Sequence, residues 1–97
     1  MQKNVANQYA IVYAMNTLTG DPETGDAGNI TGYISKDTAA AAQTNDVNPA
    51  ELSAANMKGL YAFTLTQAET NCDLFALSAA SSTANVMIDP VIIYTTS

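Results

Sequence analysis

From Tyr9 to Met15 large and small side chains alternate. Tyr9, Ile11, Tyr13 and Met15 fall on one face, Ala10, Val12 and Ala14 on the other. A period of two in β-branched and aromatic residues predicts a strand. Asn16 to Asn29 is crowded with Thr, Gly, Asp and Pro, and Asp21-Pro22 and Thr24-Gly25-Asp26 signal turns. Asn29 to Lys36 predicts a second strand, with Ile30, Gly32 and Ile34 on one face and Thr31, Tyr33 and Ser35 on the other. Gly32 inside it points to a bulge or a close backbone approach. Lys36-Asp37-Thr38 reads as a tight turn. The run Ala39 to Ala42 favours an extended edge segment, with a short helix as the alternative, because four residues are too few for a stable helix. Thr44 to Pro49 reads as a loop. Pro49-Ala50-Glu51-Leu52 predicts one helical turn, since Pro is tolerated at the first helical position.

Gly59 opens the clearest strand: Tyr61, Phe63 and Leu65 face one way, Leu60, Ala62 and Thr64 the other. Thr66-Gln67-Ala68-Glu69 has the capping-box spacing, Thr followed three residues later by Glu, and predicts a single capped turn over Gln67 to Asn71. Leu74 to Ser78 is nearly all apolar and reads as a central strand. After a turn at Ser81-Ser82-Thr83, Ala84 to Ile88 and Val91 to Thr95 form the last strands. They are separated at Asp89-Pro90, because Pro cannot donate to a ladder. Short strands at this spacing predict an all-β fold, an antiparallel sandwich or a small barrel; the favoured form is an immunoglobulin-like antiparallel β-sandwich of about seven short strands with one helical turn. Residues 1–97 make a single β-sandwich domain, with 1–7 as a candidate N-terminal arm.

Composition narrows the chemistry. The 97 residues include three Lys/Arg, nine Asp/Glu, no His and one Cys, for a net charge of −6. The commonest general base at neutral pH is missing, and one Cys without His cannot build a thiolate–imidazole metal site. So acidic a chain is a poor partner for nucleic acid or for an anionic membrane surface. No apolar run reaches the roughly 18 residues needed to span a bilayer. Lys3 is followed at once by polar residues rather than by a secretory apolar stretch. The expectation is a protein made and folded in a cytoplasm, with Cys72 a reduced thiol. No disulfide can form within the chain. Ala, Thr and Ser fill the predicted strand faces, so the core lacks bulk, and packing against copies of itself or a larger partner would supply the missing buried surface.

The candidate sites all have plain alternatives. Asp21, Glu23 and Asp26 put three carboxylates in six residues beside Gly20 and Gly25. Their spacing is not that of an EF-hand calcium loop, and a solvated hairpin loop accounts for them. Glu69 and Asp73 lie near Cys72, the opposite of the electropositive setting a reactive thiol needs, so Cys72 reads as a small semi-buried hydrophobe. Ser53, Ser78, Ser81 and Ser82 have no base to activate them. Gly20, Gly25, Gly28 and Gly32 lack the strand, glycine-rich turn and helix order of a phosphate loop. Tyr9, Tyr13, Tyr33, Tyr61 and Tyr94 could form a stacking platform for sugars, but half-buried packing with hydroxyls at the rim accounts for them better. No catalytic, cofactor or metal residue is assigned, and no enzyme activity is expected.

Three stretches carry a family resemblance. They are Gly28-Asn29-Ile30-Thr31-Gly32-Tyr33-Ile34-Ser35-Lys36-Asp37; Gly59-Leu60-Tyr61-Ala62-Phe63-Thr64-Leu65-Thr66-Gln67-Ala68-Glu69-Thr70-Asn71; and Ser81-Ser82-Thr83-Ala84-Asn85-Val86 running into Asp89-Pro90-Val91-Ile92-Ile93-Tyr94. Their order resembles small structural proteins of tailed bacteriophages and the N-terminal β-sandwich modules of some baseplate and tail-adaptor proteins. The likeness spans roughly residues 5 to 95. In that pattern Lys-Asp is followed by Gly-Gly; here Thr38-Ala39 follows, which leaves the hairpin geometry open. The resemblance implies a virion structural protein. One placement is capsid decoration, as a homo-oligomer such as a trimer on the major capsid protein. The other is a neck, tail or baseplate adaptor or fibre-anchoring protein. Decoration is favoured because nothing in the sequence reads as a second module. A carbohydrate-binding module for adhesion is the alternative of another class, with Tyr61 as its test position.

Overall fold

Side-chain alternation becomes strand pairing throughout the computed structural model, which describes residues 1–97. Eight strands form: β1 (Gln8–Asn16), β2 (Ile30–Lys36), β3 (Ala42–Gln43), β4 (Ala50–Ser53), β5 (Met57–Leu65), β6 (Leu74–Ser81), β7 (Val86–Asp89) and β8 (Val91–Tyr94). A 3-10 turn at Ala27–Asn29 leads into β2, and the helical turn α1 (Gln67–Thr70) joins β5 to β6. The strands make two four-stranded sheets, in the orders β4-β5-β1-β7 and β3-β2-β6-β8. Every strand pair is antiparallel.

This is an immunoglobulin-like arrangement with one departure, the strand beside β1 entering between β6 and β8 in the chain. β1, β2, β5 and β6 take the positions of its strands B, C, E and F. β3, β4 and β8 take C′, D and G, and β7 lies beside β1 where strand A would run. β7 and β8 are separated by Pro90 alone, and the chain changes sheets there. The expected break at Asp89-Pro90 is therefore a sheet switch.

One local expectation is overturned. Pro49–Leu52 is not a helical turn: Ala50 and Glu51 pair with Ala62 and Tyr61 as β4. Pro49 stands just before the strand, so no ladder donor is lost. Glu51 is held by the Gly25 N–H, which donates to its carboxylate oxygens at 3.2 Å. Pairing with β5 outweighs a local preference worth a few tenths of a kcal/mol per residue. α1 forms where its signal lies: Thr66 accepts from the Glu69 N–H while Glu69 reaches back to the Thr66 N–H. Of the alanine run only Ala42 joins a strand, the two-residue edge strand β3, and Ala39 to Ala41 lie outside any helix or strand.

The core draws bulk from both sheets: Tyr61, Phe63 and Leu65 from β5, Ile30 and Ile34 from β2, and Phe75 and Leu77 from β6. β1 contributes only Ala10, Val12 and Ala14. A Cβ at Gly32 would lie 2.8 Å from two ring atoms of Phe63. The β2–β6 register is unbroken over that position, so Gly32 marks a close approach and not a bulge. After β2, the Ala39 N–H donates to Lys36 O at 2.9 Å. Asp37 and Thr38 both take positive φ, 50° and 65°, the backbone conformation Gly-Gly adopts freely in hairpins. The tight turn is kept without glycine, at the cost of holding a β-branched residue in the left-handed region.

Residues 1–7 lie along one end of the sandwich. Thr70 Oγ1 donates to Val5 O and accepts the Val5 N–H, at 2.8 and 2.9 Å. The Asn7 N–H donates to Leu65 O. Gln2 bridges Thr96 in parallel.

Candidate functional site

In β1 the two faces carry opposite volumes, and the small one turns inward. Ala10, Val12 and Ala14 are buried, while Tyr9 and Ile11 remain 59% and 45% exposed. The register spreads this outer face across the first sheet. Tyr9, Ile11 and Tyr13 stand opposite Thr64, Ala62 and Leu60 of β5. Met15 stands opposite Met87 of β7, and Ala50 of β4 opposite Ala62. Leu52 and Met87 are exposed as well. Among these registered positions the one charge is Asp89, opposite Tyr13 on the edge strand. The second sheet differs. Its outward positions on β2 and β6 are Thr31, Tyr33, Ser35, Ala76, Ser78 and Ala80, small except for Tyr33, and its edge strand β8 adds Ile92 and Tyr94, 65% and 70% exposed.

The acidic loop does not stay together. Asp21 is exposed, and the Glu23 side chain accepts from Asn16 Nδ2 at 3.4 Å. Asp26 is only 3% exposed, which corrects the expectation of a solvated loop. Ser81 Oγ, Thr83 Oγ1 and Asn29 Nδ2 donate to its carboxylate at 2.5, 2.6 and 3.0 Å. Burial pushes this carboxyl up, but the three donors outweigh it and hold the group below its ordinary value. The Asp26 N–H also donates to Tyr61 Oη, which in turn donates to Glu23 O at 2.8 Å. These bonds pin the 21–29 loop to the core and to the end of β6. No three His, Cys, Asp or Glu side chains come together in the fold.

The remaining candidates are scattered. Cys72 is 2% exposed, deeper than semi-buried, and burial pushes its thiol up, away from the reactive thiolate form. Glu69 is occupied by its capping role and by the Asn45 N–H, which donates to Oε2 at 3.0 Å. The tyrosines do not form one platform. Tyr9 and Tyr13 lie on the outer face of the first sheet, Tyr33 and Tyr94 on that of the second, and Tyr61 is wholly buried. Tyr61 therefore cannot stack on a sugar, which corrects the expectation that placed it in a carbohydrate site. An open groove of about 460 Å³ between Asn7, Asp46, Thr64 and Gln67 is the one pocket. Its Asp46 is already engaged by the Thr64 N–H at 2.8 Å.

The outer face of the first sheet was missed by sequence reasoning: the alternation in β1 was visible, but not its direction. No family model, no curated protein and no solved structure matches this chain. What the fold itself defines is the class, an immunoglobulin-like sandwich whose first sheet carries exposed apolar side chains on its outer face.

Proposed function

We propose that this protein is a structural building block that works by face-to-face contact, as a bacteriophage virion protein whose first placement is capsid decoration. One observation supports it above the rest: the outer face of the first sheet carries Tyr9, Ile11, Leu52 and Met87 in the open, while alanines on the same strand fill the core. Contiguous exposed apolar surface of this kind marks contact with other proteins. The resemblance in the stretches ending at Asp37, Asn71 and Tyr94 supplies the virion context. Its partners are other virion proteins, the major capsid protein or, in the adaptor placement, neck and tail proteins. It takes no cofactor and turns over no substrate.

Particles assembled with and without the protein are expected to differ in thermal stability. Ile11→Lys is expected to abolish particle binding with little change in the melting temperature of the isolated chain. Equal particle stability, with the protein mapped to the tail, would overturn decoration in favour of the adaptor. Undiminished binding of Ile11→Lys would overturn the role of this face.

A further inference from the structure

A sandwich has four sheet edges, each a row of unpaired backbone groups that invites another strand. Three are blunted here. β3 is two residues long. β4 carries Glu51 and a register shift between Glu51 and Ser53, and a bulge twists an edge away from pairing. β7 ends on Asp89 followed by Pro90. β8 has none of these devices, and no residue from Val91 to Ser97 is charged.

The backbone of β8 shows which groups are free. Thr95 N–H donates to Asp73 O, so Thr95, Ile93 and Val91 turn their N–H and C=O groups toward β6. Ile92 and Tyr94 turn theirs outward. The side chains of Ile92 and Tyr94 are 65% and 70% exposed. The outward row already accepts an extended segment at one end, through a single parallel bridge: Lys3 N–H donates to Thr96 O and Thr96 N–H to Met1 O, both at 2.9 Å. That contact covers Thr96 and leaves Ile92 and Tyr94 open.

We infer that this edge is filled by β8 of a second copy, running antiparallel, so that two β3-β2-β6-β8 sheets join into one continuous sheet across a two-fold axis. β8 is itself the strand its edge calls for: extended, uncharged, β-branched and aromatic, with a matching free row. Self-complementarity of that kind is what an isologous contact requires. A pairing centred on Ile92 keeps the Met1–Lys3 contact in place, because the incoming strand has reached its own Pro90 by the level of Tyr94 and there leaves for its first sheet. Strand addition draws affinity from main-chain hydrogen bonds. A four-residue strand buries less than the roughly 800 Å² per partner of a stand-alone dimer, so the dimer is weak and concentration-dependent. Its surface is distinct from the apolar sheet face.

Sedimentation equilibrium of the full chain over a concentration series tests it. The chain is expected to pass from monomer to dimer. Ile92→Lys, which places charge on the edge without touching the core, is expected to raise the dissociation constant at least about tenfold, the effect of about 1.4 kcal/mol. Tyr94→Pro removes an outward N–H that no internal bond uses and is expected to act likewise, with far-UV circular dichroism unchanged. Under oxidation Ile92→Cys is expected to yield a covalent dimer, because a hydrogen-bonded antiparallel pair holds its Cα atoms about 5.5 Å apart, within disulfide reach. A chain monomeric at every concentration overturns the inference. So does a dimer that survives Ile92→Lys but is lost in Ile11→Lys, which would move self-association to the first sheet's face.

Discussion

β1 and β5 are neighbours in one sheet, and they divide their bulk in opposite senses. β5 sends Tyr61, Phe63 and Leu65 into the core and holds Ala62 and Thr64 on the outer side. β1 sends Ala10, Val12 and Ala14 inward and keeps Tyr9 and Ile11 in water. Burying a large apolar side chain is worth about 1.5–3 kcal/mol; β5 makes that gain, while the inner face of β1, beside Tyr61 and Phe63, holds small side chains. The two strands together separate what holds the fold from what the fold presents.

Four measurements can break or sharpen that contrast. The largest effect belongs to β5: Phe63→Ala is expected to cost about 3–5 kcal/mol in urea unfolding, enough to unfold so small a domain at moderate temperature. On β1 the inward positions are full. Ala10→Leu is expected to destabilise by about 1–3 kcal/mol through overpacking, and a stabilised variant would show that β1 has room for a large inner face. Next comes the loop that clasps Tyr61 of β5. Asp26→Asn is expected to cost about 1–2 kcal/mol at pH 7 by weakening charge-assisted bonds from Ser81 and Thr83. Because folding lowers the Asp26 pKa below its ordinary 3.8, the folded state takes up its proton less readily than the unfolded chain. The stabilisation is full above 3.8 and is lost as pH falls through the folded value. Melting curves of the wild type should thus fall toward the variant's at strongly acid pH, and a gap independent of pH would refute the charge contribution. The smallest effect belongs to the outer face of β1, where Ile11→Ser is expected to change stability by no more than about 0.5 kcal/mol. A loss like that of Phe63→Ala would mean Ile11 is a core residue after all.

How much of this could be read beforehand depends on how far apart the partners lie. The capping box at Thr66 and Glu69 spans three residues and was fully legible. The alternation in β5 was legible because one face is plainly larger and the other holds Thr64 and Ala62. In β1 both faces are apolar, so period two located the strand without saying which side faces the core. Pro49-Ala50-Glu51 is locally helical, and only the pairing of Ala50 with Ala62 makes it a strand. Asp26 looked solvated because its donors Ser81 and Thr83 stand 55 and 57 positions away. The apolar face failed to show for the same reason: its residues come from four strands and meet only through the register.

The pairing of Gln2 with Thr96 sets the two ends of this 97-residue stretch side by side at one pole of the sandwich. A short linker could close them into a ring, and new ends could then be opened at the Asp37-Thr38 hairpin without severing a strand. Such a permuted chain would keep every sheet intact, and tags carried at its new ends would leave from a site of the experimenter's choosing.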